Sequence, residues 1–419
     1  MKIESTVRSA QFTSQVLTLG SVMVGCLLAL SATSSLAEPD DLPLSLTLTG
    51  DVTHDSNFSR NDAKLSETIK TGTAKVLLNK AYGRQNYNLN ASVSAQRYAR
   101  YGQLLDNDGK NVAGSFSTGL ASNWTVTTGG TYAQNLNPIQ NNLATNRVVR
   151  NIRTYRDGNL AVQYGNGGRF ALVGTLDANK TGYSDSAFRT LNNVNQDSKG
   201  LRILYFSSDL LNFGLGARQV VSRYPESLTQ ERQTDHNIDL TSSWQVTGLS
   251  NFNAQISRRN SRFASDDTRQ VKGYTGSLDW SYTPRGLMSY GVGLSRNTGA
   301  DRRTDSVVDS QTNLVFASRD SQANSIYNTA NFTAAMQATA KIMLRAGYTV
   351  TRYSYDRSVA DQSVQASSLN QTLNFSVNYA LLRSVASACS IQRYKQTADE
   401  TRPKFDGQTI GCSVSVTLD

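Results

Sequence analysis

Histidine, cysteine and proline are scarce in this sequence, whose 419 residues hold two, three and six of them. His54 and His236 each lack a second histidine or cysteine at metal-ligand spacing, so neither a metal centre nor a cofactor is expected. Gly-x-Ser-x-Gly elbows and phosphate-cradling glycine loops are missing too, which removes common signatures of acyl-transfer and nucleotide enzymes. After residue 37, nothing approaches the roughly 20 consecutive apolar residues of a spanning helix. Hydrophobic residues make up 38% of the chain and mean hydropathy is −0.42. Such polarity is shared by disordered chains, but 19 Tyr, 13 Phe and a regular polar–apolar alternation speak against disorder.

The N-terminus carries an export signature. Lys2 and Arg8 form a charged start, Val16 to Leu30 an apolar stretch, and Ser34-Ser35-Leu36-Ala37 a small-residue site before acidic Glu38-Pro39-Asp40-Asp41. That order predicts a signal peptide over 1–37, cleaved after Ala37, and one exported domain over 38–419. A retained anchor, or a lipoprotein site at Cys26, fits this order less well. Cys26 leaves with the signal, so Cys389 and Cys412 remain, in an oxidising compartment.

Beyond the signal the alternation has period two, the strand period. Tyr87, Leu89, Ala91, Val93 and Ala95 share one face; Asn86, Asn88, Asn90, Ser92, Ser94 and Gln96 share the other. The same pattern returns over 369–381 and 409–418. It predicts about eighteen strands, with sixteen to eighteen compatible with the pattern. Short turns fall near 80–84, 122–124, 165–168, 208–211, 247–250, 283–287, 337–340 and 381–384. Longer polar loops alternate with them, near 54–66, 100–110, 137–148, 183–198, 225–234, 264–269, 301–322, 356–366 and 397–407. Strict short–long alternation is the mark of outer-membrane barrels, with tight periplasmic turns and long external loops. The fold class expected is therefore all-β: a transmembrane, antiparallel, up-and-down β-barrel in the bacterial outer membrane.

Two further patterns agree. All six prolines (Pro39, Pro43, Pro138, Pro225, Pro284 and Pro403) fall outside strand interiors or ahead of the first full strand, where no ladder donor is lost. Tyr82, Trp124, Tyr164, Phe170, Phe213, Trp244, Phe252, Trp280, Tyr282, Tyr290 and Tyr379 gather beside the short turns, like an interfacial girdle.

Charge supplies the functional candidates. The chain carries a net charge of +10, and parity points Lys75, Arg202, Arg218, Arg259 and Arg345 inward with Asp177, Asp239 and Asp279. The lumen is thus read as mixed, with a basic excess suited to anionic solutes. Barrel walls also need inward charges for solvation and cross-strand pairing, and the sequence leaves both readings open. Nucleic acid is not expected as a partner, because no compact basic-aromatic module appears. Tyr98, Phe206 and Tyr353 are read as inward stacking faces. His54 with Asp51 and Asp55 offers a cation site, although a solvated loop is the simpler reading. His236, near the outer end of its strand, is the one candidate base for a barrel-embedded hydrolase; Gly182-Tyr183-Ser184-Asp185-Ser186 is read as turn chemistry. Cys389 and Cys412 fall opposite each other in the last hairpin, as a disulfide or as two free thiols.

Gly50-Asp51-Val52-Thr53-His54-Asp55-Ser56-Asn57-Phe58-Ser59-Arg60 resembles the opening hairpin of proteobacterial β-barrel porins. Gly83-Arg84-Gln85-Asn86-Tyr87, Arg97-Tyr98-Ala99-Arg100-Tyr101 and Arg150-Asn151-Ile152-Arg153-Thr154 are similar to one branch, the EpsL-type outer-membrane proteins of exopolysaccharide biosynthesis operons. His54-Asp55-Ser56-Asn57 departs from the usual paired aspartates, and the chain ends Leu418-Asp419 without the common terminal aromatic, a weaker assembly signal. The resemblance implies export of an anionic or neutral polysaccharide, with periplasmic polysaccharide-export components as partners beside outer-membrane lipid and lipopolysaccharide. It brings no catalytic residue. A general or small-solute porin is the alternative, and a hydrolase a weaker third.

Overall fold

In the computed structural model, residues 44–138, 148–165, 167–227, 230–264, 266–308, 315–359, 362–398 and 404–418 are described. The expected signal peptide, Pro39, Pro43 and Pro403 lie outside them. The first strands are β1 (Leu44–Asp55), β2 (Glu67–Tyr82), β3 (Gln85–Tyr98), β4 (Asn107–Leu120), β5 (Trp124–Leu136) and β6 (Ile152–Tyr164). Next come β7 (Phe170–Tyr183), β8 (Val194–Ser208), β9 (Leu211–Arg223), β10 (Arg232–Thr247), β11 (Ser250–Phe263) and β12 (Asp266–Tyr282). The last are β13 (Met288–Val308), β14 (Val315–Gln337), β15 (Ile342–Val359), β16 (Gln362–Ala380), β17 (Val385–Gln396) and β18 (Phe405–Leu418). Two short helices, α1 (Gly102–Leu105) and α2 (Ser186–Asn192), sit in connections. Consecutive strands pair antiparallel, and β1 closes on β18 from Leu46 opposite Leu418 to Asp55 opposite Thr409. The sheet is a closed barrel of eighteen strands.

Closure fixes what each face meets. Leu201, Ile203, Leu215, Ile238, Leu240 and Ile256 all point outward and are more than half exposed. Their register neighbours Arg202, Gly216, Asp239 and Ser257 point the other way. An uncovered apolar band of this extent has no place in water. It is the outer surface of a barrel that spans a membrane, with its polar positions turned to the lumen. The predicted aromatic girdle is present at the short-turn rim. Trp244, Phe252, Trp280, Tyr282 and Tyr290 run side by side across β10–β13 with successive ring centroids 6.0–6.5 Å apart. Trp124 meets Tyr164 at 4.8 Å. An even-stranded barrel with short turns on one rim belongs to the bacterial outer membrane.

The opposite rim differs from the sequence reading. Segments 301–322 and 356–366, expected as irregular loops, are largely continuations of the β13–β14 and β15–β16 hairpins. Only two residues separate β11 from β12, where a longer loop over 264–269 was expected. Polar Ser, Thr, Asn and Asp composition signalled loop, but cross-strand pairing beyond the membrane satisfies the backbone without an apolar face. Gly182 to Ser186 does behave as turn chemistry: Ser184 Oγ accepts the Ile152 amide at 2.8 Å. Cys389 and Cys412 are register partners and form a disulfide, Cα atoms 4.1 Å apart, on the outward face of the β17–β18 hairpin.

Two measurements check this picture. Leu240→Arg, at mid-belt on the outer face, is expected to lower unfolding free energy in lipid vesicles by about 2–4 kcal/mol, whereas inward Asn90→Arg costs much less. Non-reducing peptide mapping is expected to join the fragments holding Cys389 and Cys412, and thiol reagents are expected to label neither in the denatured exported protein.

Candidate functional site

The candidate site is the lumen and its outer mouth. All five basic residues singled out by parity point inward: Lys75 on β2, Arg202 on β8, Arg218 on β9, Arg259 on β11 and Arg345 on β15. The structure divides them into two groups. Arg218 Nε donates to Asp239 Oδ2 at 3.2 Å, and Arg259 Nη2 to Asp235 Oδ2 at 2.7 Å. Both aspartates are buried, with side chains 3% and 7% exposed. Gln233 Nε2 donates to the second Asp235 oxygen at 3.0 Å, so this carboxylate is fully engaged. These two arginines are wall structure, since a charge held this way offers a passing solute little.

Lys75, Arg202 and Arg345 differ, because no carboxylate lies within ion-pair distance of them among the described residues. They stand on β2, β8 and β15, so roughly a third of the circumference separates each from the next. Lys75 and Arg202 lie seven and six residues from Tyr82 and Ser208 at the short-turn rim, and Arg345 lies three from Ile342. The three cations therefore form a staggered ring in the half nearer that rim.

The basic excess expected for the lumen is corrected by acids the sequence reading passed over. Asp51 on β1, Asp157 on β6 and Asp235 on β10 point inward besides Asp177, Asp239 and Asp279, while Arg153 adds one inward cation. Among the described strand residues the inward charges nearly balance. The surplus lies on outward and rim positions such as Lys80, Arg97, Lys110, Lys180 and Arg258. Strand parity carried the missing signal for Asp157, but Asp235 stood at the edge of its expected strand, where parity is weakest.

The outer mouth is narrowed by packed connections. Tyr98, read as an open stacking face, is instead buried with Leu105 of α1 and packed by Phe58, Ile69, Tyr101, Leu136 and Val148. Glu67, 1% exposed, accepts the backbone amides of Arg100 and Tyr101 at 3.0–3.1 Å. The α1 connection is thereby tied to the base of the loop between β1 and β2. That loop is held in turn by Asp55, which takes an ion pair from Arg60 at 2.8 Å and the Tyr394 hydroxyl. Arg60 lies over the Tyr394 ring at 3.6 Å.

Further round the rim, between β7 and β8, α2 is capped by Asp185, which accepts the Phe188 amide at 2.9 Å. Phe188 packs edge-on against inward Tyr183 at 4.7 Å, and Arg189 is clamped by Glu226 at 2.9 Å. The helix touches β13, six strands further round the barrel. It therefore reaches over the opening.

Two other readings are corrected. Asp55 is spent on Arg60 and Tyr394, Asp51 accepts from Thr53 Oγ1 at 2.9 Å, and His54 faces outward to Thr68 Oγ1 at 3.0 Å. No cation site forms there. His236 also lies on the outer face, in register with Gln219 and Asn260, away from the lumen where a hydrolase base would be needed. Of the other inward aromatics, Tyr353 meets Tyr327 edge-on at 5.0 Å, and Phe206 is half-buried.

No family model matches the chain, and no curated protein matches it. Among solved structures, Acinetobacter baumannii OccAB3 aligns at TM-score 0.45 and 12% identity over 90% of this chain and 98% of its own. The outer membrane protein opdK from Pseudomonas aeruginosa gives 0.45 and 13% over 90% and 98%. A mutant of the ferric enterobactin receptor PfeA from Pseudomonas aeruginosa gives 0.46 and 10% over 90% and 81%. Likeness at this level assigns neither family nor cargo.

Asp235→Ala is expected to destabilise the barrel by about 3 kcal/mol in equilibrium unfolding, because Arg259 loses its counter-ion in a confined wall. Replacing α2 by a short Gly-Ser link is expected to raise single-channel conductance in planar bilayers.

Proposed function

We propose that this protein is an outer-membrane pore through which an exopolysaccharide leaves the cell by passive, guided passage. The observation that carries the reading is the staggered ring of Lys75, Arg202 and Arg345, which stands apart from inward Asp51, Asp157, Asp177 and Asp279 in a wall lined mainly by amides and hydroxyls. Inward Asn86, Asn88, Asn90, Ser92 and Ser94 on β3, and Asn370, Thr372, Asn374, Ser376 and Asn378 on β16, exchange hydrogen bonds with sugar hydroxyls at little net cost. Each bond to water is replaced by a comparable one. Cations at separate points of the circumference attract acidic sugars without one deep well, so an anionic chain is drawn in and still released. The Tyr327–Tyr353 pair offers an apolar surface for sugar faces. A polymer delivered from the periplasm needs export components at the short-turn rim, in keeping with the resemblance to EpsL-type proteins.

The reach of α2 over the mouth favours a second reading, a porin for small solutes, because a fixed obstruction hinders a chain more than a monomer. Deleting the gene separates the two. Loss of extracellular polymer with unchanged small-solute uptake is expected for export, and the reverse result would assign a porin. Neutralising Lys75, Arg202 and Arg345 to Gln together is expected to shift the reversal potential in planar bilayers toward cation preference. Neutralising both pairs, Arg218→Gln with Asp239→Asn and Arg259→Gln with Asp235→Asn, is expected to leave it unchanged.

A further inference from the structure

The barrel wall has a seam that is only half zipped. β12 and β13 pair from Tyr282 opposite Tyr290 up to Gly276 opposite Arg296. Beyond that rung β12 remains paired to β11 alone, and β13 to β14 alone, among the described residues. Unpaired backbone in a membrane wall is costly, several kcal/mol for each polar group left without a partner in hydrocarbon. Arginine side chains supply the substitutes. From inside, Arg259, in register with Gly273, reaches across β12 to β13, where Nη1 donates to the Thr298 carbonyl at 2.8 Å. From outside, Arg296 Nε donates to the Tyr274 carbonyl at 3.3 Å, and Nη1 to Asn328 Oδ1 at 3.3 Å.

At the foot of the split the outer surface is hollowed. A groove of about 560 Å³ runs past Gly276, lined by Ile256, Leu278, Leu294, Ala330 and Val350 and bordered by Tyr274 and Arg296. Arg258, exposed on β11, faces outward opposite Tyr274, so two arginines flank that ring on the lipid side. Their depth is informative. Arg258 and Arg296 are each six residues from the girdle rings Phe252 and Tyr290, roughly 20 Å along a strand. At about 40° tilt that is about 15 Å above the girdle, inside a belt about 25 Å tall. Lipid-facing arginine there is destabilising unless an anion meets it. Outward Lys272 lies one step nearer the outer rim than Tyr274, on the same face of β12.

We propose that this split seam binds one phosphorylated glycolipid of the outer leaflet, its acyl chain in the groove and its phosphate between Arg258 and Arg296. Arginine matches phosphate bidentately, and basic pockets in membrane walls recognise lipid headgroups in this way. Tyr274 and Asn328 supply hydrogen bonds to the sugar. The site lies on the outer face and is independent of what the lumen carries.

The test uses the full exported barrel in micelles and native mass spectrometry, with bisphosphorylated lipid A, its dephosphorylated form and phosphatidylglycerol as separate probes. One bisphosphorylated lipid A is expected to survive delipidation, and the dephosphorylated form is not. Arg258→Gln with Arg296→Gln is expected to reduce retention about tenfold or more, and Ala330→Phe, which fills the groove and leaves both arginines, likewise. Heat-modifiable gel migration verifies that each variant is folded. Equal retention of the dephosphorylated form or of phosphatidylglycerol by the unaltered protein would overturn the proposal without any variant. So would undiminished retention by the folded double variant. Unchanged extracellular polymer on deleting the gene, with lipid retention by the exported barrel intact, would refute the export reading alone.

Discussion

The hydrogen-bond ladder between β1 and β18 is the constraint on which everything else rests. A strand edge open to hydrocarbon leaves a row of amides and carbonyls without water or partner, so a sheet crosses a membrane only when its first and last strands meet. Leu46 to Asp55 meet Leu418 to Thr409 without a register shift. The circle then closes with one face of every strand outside and the other inside. From that follow the inverted distribution of Leu, Ile and Val, the interfacial rings at the short-turn rim, and the burial of Asp235, Asp239 and Ser257 on the side that would be solvent-exposed in a soluble sheet.

Inside the ring, charge has two uses. Arg218 and Arg259 lie beside aspartates on the adjacent strand and are consumed in holding the wall. Lys75, Arg202 and Arg345 have no such neighbour and remain directed at whatever occupies the lumen. The distinction depends on which strand stands next to which and in what register, because an ion pair requires atoms within about 4 Å. The connections add a second level of control. Glu67 and Asp55 convert loops at one side of the mouth into packed structure, while α2 extends from between β7 and β8 to β13.

The β12–β13 seam shows how the closure rule is met where the ladder fails. Arg259 and Arg296 each put a guanidinium on a backbone carbonyl that a strand amide would ordinarily reach. At Gly273 on the inner face an added Cβ would meet Thr298 Cγ2 at 3.6 Å. Gly276 on the outer face lies only 2.6 Å, at an added Cβ, from the Gln255 carbonyl, so this strand is thin where its neighbours approach. The seam is held by long side chains over a groove in the lipid-facing surface.

The sequence by itself determined the class of fold, the strand number to within about two, the inward and outward faces, the aromatic rim and the hairpin that brings Cys389 near Cys412. All of these follow from a period of two and from turn length, which are properties of adjacent residues. Tertiary structure decided the rest. It bonded the two sulfurs, paired Arg218 and Arg259 while leaving Lys75, Arg202 and Arg345 open, and turned His54 and His236 away from the lumen. It also buried Tyr98 under α1, extended polar loops into hairpins and unzipped one seam. Those outcomes depend on which groups meet across neighbouring strands or across the mouth, and distance in space is not encoded in the alternation of one strand.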